Sequence, residues 1–283
     1  MRLNPFNPNN ISVRGGGGGG FPGGGGGQLG CGAIVIALIG ALVFGIDPGQ
    51  MLGTLEGAQV GAPQQADTRS VQQLCGQNTY ATEACNTLDS LNQTWAPLFQ
   101  QANIKFTAPT LEFYSGGTRS GCGAASSSMG PFYCPNDQTI YIDTSFYDEM
   151  QRKLGTGPGD FARYYVVAHE YGHHVQAMTG VAQQISSAQQ QNPNEANALS
   201  VRLELQADCY AGVWAGKNRN LIEPGDFEEG MKAAGAIGDD TLTKGRVSSD
   251  NFTHGTSQQR MQALRMGMQA ADDTACDKIV QVG

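Results

Sequence analysis

Tyr165-Val166-Val167-Ala168-His169-Glu170-Tyr171-Gly172-His173-His174-Val175-Gln176-Ala177-Met178 is the stretch on which the reading of this chain turns. Its ends are marked. Asp160 is a residue type that opens helices and Gly180 one that closes them, so a helix is predicted from Asp160 to about Thr179. Residues four apart on a helix stand one turn apart on the same face. His169 and His173 can therefore turn both imidazoles to one metal ion, while Glu170 points partly sideways, where it can hold a water without binding the metal. The apolar flanks make this a buried helix, and such a helix rarely carries two histidines and a glutamate without a use. His174 lies about 100° further round than His173 and reads as structural.

A site of this kind needs a third protein donor. The next long helix, predicted from Asn194 to about Gly216, contains Leu203-Glu204-Leu205-Gln206-Ala207-Asp208, with two carboxylates again four apart. Leu203, Leu205, Ala207 and Tyr210 argue against a solvated face there. Glu204 is thus the candidate ligand, and Asp208 the candidate acceptor for the second ring nitrogen of a ligand histidine. Glu195, in the polar, asparagine-rich entry to that helix, is the weaker alternative. Tyr141 is a candidate for facing a substrate. His254 is the only histidine off the motif helix and sits in the loop Asn251-Phe252-Thr253-His254-Gly255-Thr256-Ser257. It is the candidate donor to a developing oxyanion, with Arg260 or Tyr141 as substitutes.

Outward from these helices, residues 67–103 have a helical texture, with Leu74, Leu88, Leu91, Trp95, Leu98 and Phe99 as the buried stripe. Thr110–Tyr114 and Thr139–Asp143 read as strands, with a small-residue loop between them as far as Gly130. Pro224-Gly225-Asp226 opens a third helix, and Ser257 to Ala271 makes a fourth. The predicted class is α+β: a mainly helical domain with a small antiparallel sheet. The chain has 283 residues, 40% hydrophobic and 15% charged, which supports a real core and excludes full disorder. Its formal net charge of -8 excludes a general basic surface for nucleic acid.

The start of the chain reads differently. Residues 1–29 hold Arg2, Arg14, no acid and the glycine run from Gly15 to Gly27, which predicts a disordered cytoplasmic tail. Residues 30–46 are uncharged and largely apolar, at the short end for a transmembrane helix, and residues 47–66 form a linker. Positive charge before the span and acids only after it predict a single-pass protein of the inner (cytoplasmic) membrane, with residues 67–283 in the periplasm or outside. A cleaved signal peptide would have a shorter leader, and a lipoprotein signal would place its apolar run before Cys31 rather than after it. Six further cysteines suit a disulfide framework, although six permit fifteen connectivities and ordinary buried thiols are the alternative. Local spacing favours Cys75–Cys85 and Cys122–Cys134, leaving Cys209–Cys276.

Several of these segments together resemble the bacterial family described as neutral zinc metallopeptidases. The similarity is densest at Gly130–Pro135, at Ile140–Asp143 through Tyr147, at His169–Gln176, at Glu204–Trp214 and at Phe252–Ser257. The two-helix site also looks like that of gluzincins, which implies a zincin-like fold, one Zn2+ per chain, ligation by Glu204 and an outer role for Asp208. The polyglycine run and the Cys75/Cys85 pair are not part of the resemblance. The function expected is a membrane-anchored zinc endopeptidase acting on envelope or extracytoplasmic proteins, with Glu170 as general base and substrate added as a strand along Ile140–Asp143. The rival is a tethered zinc-containing binding or chaperone-like protein, which would have no need of the Glu170 base.

Overall fold

The structure, a computed structural model, describes residues 1–16, 67–154 and 159–281. The helical texture after residue 67 resolves into α1 (Val71–Cys75) and α2 (Thr79–Gln101). They separate at Asn78, whose side chain accepts the Ala81 amide and so starts a new helix. Leu74, Leu88, Leu91, Trp95 and Phe99 are buried as predicted, while Leu98 is only partly covered.

Among the described residues the strands follow the chain as β1 (Ser12–Gly15), β2 (Thr110–Tyr114), β3 (Gly117–Ser120), β4 (Gly123–Ser126), β5 (Phe132–Cys134) and β6 (Thr139–Asp143). Four make one sheet in the order β1-β2-β6-β5, and β3-β4 is a separate hairpin. Both predicted strands have the expected bounds, but the sheet is mixed and not antiparallel. β2 runs parallel to β1 and to β6, and only β5 pairs antiparallel with β6. The hairpin and β5 lie between β2 and β6 in sequence, and that long excursion lets β6 return parallel to β2.

The remaining helices are α3 (Ser145–Leu154), α4 (Phe161–Thr179), α5 (Val181–Gln191), α6 (Ala196–Lys217), α7 (Asp226–Ala236), α8 (Asp239–Leu242) and α9 (Ser257–Ala270). α4 ends at Gly180 in the left-handed region (φ 82°), a conformation a β-carbon would strain. α4 and α6 pack closely through Gly172, where a methyl group would stand 2.8 Å from the Ala207 backbone. Alanine would gain about 1 kcal/mol of helix propensity there, yet overpacking against backbone costs typically 1–3 kcal/mol, so glycine is favoured. α9 lies tighter still on α6: a β-carbon at Gly212 would fall 2.2 Å from the Leu264 carbonyl oxygen. Disulfides join Cys75 to Cys85, Cys122 to Cys134 and Cys209 to Cys276. The last ties α6 to the 3-10 segment Asp273–Ile279.

The expected transmembrane helix finds no support in this fold. Residues 30–46 lie outside the described residues, and among the described residues no helix is long and apolar enough to cross a membrane. Residues 1–16 are not the disordered far-side tail predicted. β1 pairs with β2 through Ser12–Gly15, and Arg14 donates to Glu112 (2.6 Å) and to the Tyr141 hydroxyl (3.0 Å). Met1 is buried, and its α-amino nitrogen stands 2.7 Å from Asp226. A single crossing between residues 16 and 67 would place neighbouring strands of one sheet on opposite sides of a bilayer.

Candidate metal centre

α4 and α6 present their functional side chains across the Gly172 contact. The ring Nε2 of His169 lies 3.2 Å from Glu204 Oε2, and that of His173 lies 3.4 Å from Glu204 Oε1. One donor atom from each of His169, His173 and Glu204 falls within 4.8 Å of the others. These three could hold a metal ion. Glu195, the weaker candidate, is exposed on a 3-10 turn and takes no part. A second group, Asp160, Asp226 and Glu229, also clusters, but Asp160 and Asp226 are engaged with the Met1 ammonium.

The second nitrogen of each histidine is already committed. His169 Nδ1 donates to Asp208 Oδ1 (2.8 Å), and His173 Nδ1 donates to Gln176 Oε1 (2.9 Å). Gln176 is itself oriented, because its amide donates to the Leu203 carbonyl and to Gln206 Oε1. Both Nε2 atoms are thereby left as donors facing Glu204. Two imidazole nitrogens and a carboxylate oxygen suit a borderline divalent cation such as zinc, with room for an exchangeable fourth ligand.

The electrostatics point the same way. Burial works against a charged ring at His169 and His173, but Asp208 and Glu204 outweigh it and raise both pKa values. Burial also opposes ionisation of Glu204, and His173 and His169, then His254, hold its carboxyl well below the usual range all the same. The negative potential that favours protonated imidazoles also favours a bound cation. Glu170 is buried, and burial pushes its carboxyl up. Among the described residues its side chain makes no hydrogen bond to another protein group.

His174 is structural, as its position on the helix predicted. Its Nε2 donates to the Thr107 carbonyl (2.7 Å), its Nδ1 accepts from the Tyr133 hydroxyl (3.0 Å), and burial lowers its pKa to about 4. A neutral ring thus ties α4 to β5. Tyr141 is not placed to meet a substrate. It is fully buried, stacked on Phe132, and its hydroxyl donates to Asp137 (2.6 Å). Nor can a peptide add along Ile140–Asp143, because β6 has β2 on one side and β5 on the other. His254 is 1% exposed. Its Nδ1 lies 3.1 Å from Asp239 Oδ1, and its Nε2 is buried with no partner. Asp239 also accepts the backbone amides of Thr253, His254 and Gly255, so the loop is wrapped around this carboxylate.

Four partners of the site were missed in the sequence: Tyr165, Gln176, Asp239 and the orienting role of Arg260. Tyr165 and Gln176 had a usable signal, because each lies within one turn of a ligand histidine on the same helix. Asp239 had none, since its link to His254 exists only after α8 folds back onto the loop.

With two histidines and a glutamate brought together from α4 and α6 beside a small mixed sheet, the chain belongs to the family described as "Putative neutral zinc metallopeptidase", whose model matches residues 5–279. Among its relatives, "Uncharacterized protein YpfJ" of Escherichia coli K12 is 45% identical over 249 residues, covering 86% of this chain and 85% of the relative. "Uncharacterized protein Rv2575" of Mycobacterium tuberculosis is 36% identical over 263 residues, covering 84% of each. No solved structure matches the chain.

Proposed function

We propose that this protein is a zinc-dependent endopeptidase with one Zn2+ held by His169, His173 and Glu204. The observation that carries the reading is Glu170: a buried carboxylate beside the three donors, with a raised pKa and no protein hydrogen bond among the described residues. A purely structural metal site has no use for such a group, which speaks against a binding or chaperone-like role. When bound, zinc would polarise a water and the scissile carbonyl. Glu170 takes the proton of the attacking water on its carboxylate and delivers it to the leaving amine. Asp208 and Gln176 keep both ligand rings in the Nδ1–H form.

His254 supplies the donor for the oxyanion that develops on the substrate carbonyl. Asp239 engages Nδ1, which leaves Nε2 without a protein partner and open to the substrate oxygen. His254→Ala is expected to keep zinc content and melting temperature while lowering kcat by roughly 10²-fold. A mutant that loses stability while turnover per folded molecule stays intact would make the residue structural.

The substrate is a peptide segment of a protein, bound at the outer edge of β5. That edge is unpaired among the described residues, and Tyr133 on β5 bonds to His174, next to ligand His173. Three disulfides favour work in an oxidising compartment outside the cytoplasm. The direct test is chelation. Cleavage of an unfolded casein-like substrate should stop when zinc is stripped and return when one equivalent is restored. Undiminished cleavage by the zinc-free protein would rule the reading out.

A further inference from the structure

Asp208 is fully buried and accepts four hydrogen bonds. One comes from the Tyr165 hydroxyl (2.5 Å), one from His169 Nδ1 (2.8 Å), and two from Arg260, through Nε to Oδ2 (2.8 Å) and Nη2 to Oδ1 (2.9 Å). Arg260 is itself only 2% exposed, and its Nη1 reaches to 3.6 Å from Glu204 Oε2. The guanidinium therefore stands behind two carboxylates of the centre at once. Its position is well determined. Arg260 lies in the first turn of α9, just after the Thr256 cap, whose side chain accepts the Gln259 amide while the Gln259 side chain bonds back to the Thr256 amide. The Gly212 and Gly267 contacts then hold α9 against α6.

A carboxylate with two lone pairs on each oxygen can turn about its own axis and bond several donors equally well. Arginine restricts that freedom, because its planar fork engages both oxygens in one plane. With Oδ2 held by Nε and Oδ1 by Nη2, Oδ1 faces Tyr165 and His169 in a single orientation. We propose that Arg260 is a positioning residue of the metal centre, acting on His169 through Asp208 so that Nδ1 keeps its proton and Nε2 stays aimed at the metal. It touches no substrate. The inference rests on the metal reading above and adds to it a second layer, contributed by the segment that also carries His254.

The test is zinc affinity, measured on the full chain by competition with a chromogenic chelator, with folding checked by circular dichroism. His169→Ala serves as the control. If wild type and His169→Ala bind zinc equally, the metal reading itself fails. With that control passed, Arg260→Lys keeps the charge but loses the fork, and its affinity should fall roughly 10–100-fold, as for other groups that orient ligands. Arg260→Gln should fall by a similar factor. The double variant Asp208→Asn/Arg260→Gln should bind no more weakly than Asp208→Asn alone, because the carboxylate through which the guanidinium acts on His169 is then already gone and only its looser 3.6 Å approach to Glu204 remains. It also removes both charges together, so it decides the matter if Arg260→Gln fails to fold. Wild-type affinity in Arg260→Lys, or a loss in the double variant equal to the product of the single losses, would overturn the proposal.

Discussion

Glu170→Gln is expected to yield a protein that folds like wild type, retains one zinc per chain and cleaves no peptide. The change is isosteric, and Glu170 makes no protein hydrogen bond among the described residues, so little in the fold depends on it. Its carboxyl is raised by burial and neighbours two histidines and Glu204, so replacing it also removes one source of crowding between negative charges. Zinc retention should therefore be equal to that of wild type or slightly different, but not lost. Catalysis is another matter, because an amide cannot accept the proton of the attacking water. General acid–base catalysis contributes about 10²–10⁴-fold, and the loss should be of that order or larger, since the same group serves both proton transfers. The measurement is turnover of a quenched fluorescent peptide, with metal content determined on the same sample. Equal activity of the two proteins would sink the peptidase mechanism while leaving the metal site standing.

Loss of a ligand should have the opposite signature. Glu204→Ala removes the only anionic donor of the three and leaves His169 and His173 facing a void lined by Arg260. Two neutral imidazoles beside a guanidinium are a poor cation site, so tight zinc retention should vanish and activity with it. His169→Ala and His173→Ala should do the same. Asp208→Ala, which leaves the three donors in place, should weaken affinity only by about 10–100-fold. Glu195→Ala should change nothing, because that side chain is exposed and remote from the donors. Metal analysis after dialysis against a weak chelator separates these cases. Full zinc in Glu204→Ala, or its loss in Glu195→Ala, would contradict the ligand assignment.

The two ligand helices were legible in the sequence because everything that defines them is local. The bounds of α4 follow from a run of apolar residues that ends at a glycine able to adopt φ 82°. The spacing of His169 and His173 follows from helix geometry alone, and so does the pairing of Glu204 with Asp208 on α6. Even there one local inference went astray. Asp160 marks the helix start, yet its side chain caps nothing and instead takes the Met1 ammonium and the Tyr164 hydroxyl. The hairpin β3-β4 was hidden for a related reason. Gly, Ser and Ala have little preference for strands, and what holds them there is backbone pairing together with the Cys122–Cys134 bridge.

By itself, then, the sequence determined the helix that carries the motif, its partner helix and two strands of the sheet, and favoured the two local cysteine pairs, since each is written in spacing or periodicity within a few turns of chain. Only the tertiary structure decided that Ser12–Gly15 is a strand of the same sheet, that Tyr141 faces inward, and that Arg260 and Asp239 stand behind His169 and His254. These depend on partners far apart in sequence. Ser12–Gly15, with Arg14 among them, read as part of a solvated tail until β2 offers a ladder and Glu112 a counter-charge. A buried arginine reads as an exposed one until two carboxylates meet it. Local propensity fixes which segments are helix or strand, but long-range pairing of charge and backbone decides which polar groups are buried, and the layer that orients the metal donors is made of those.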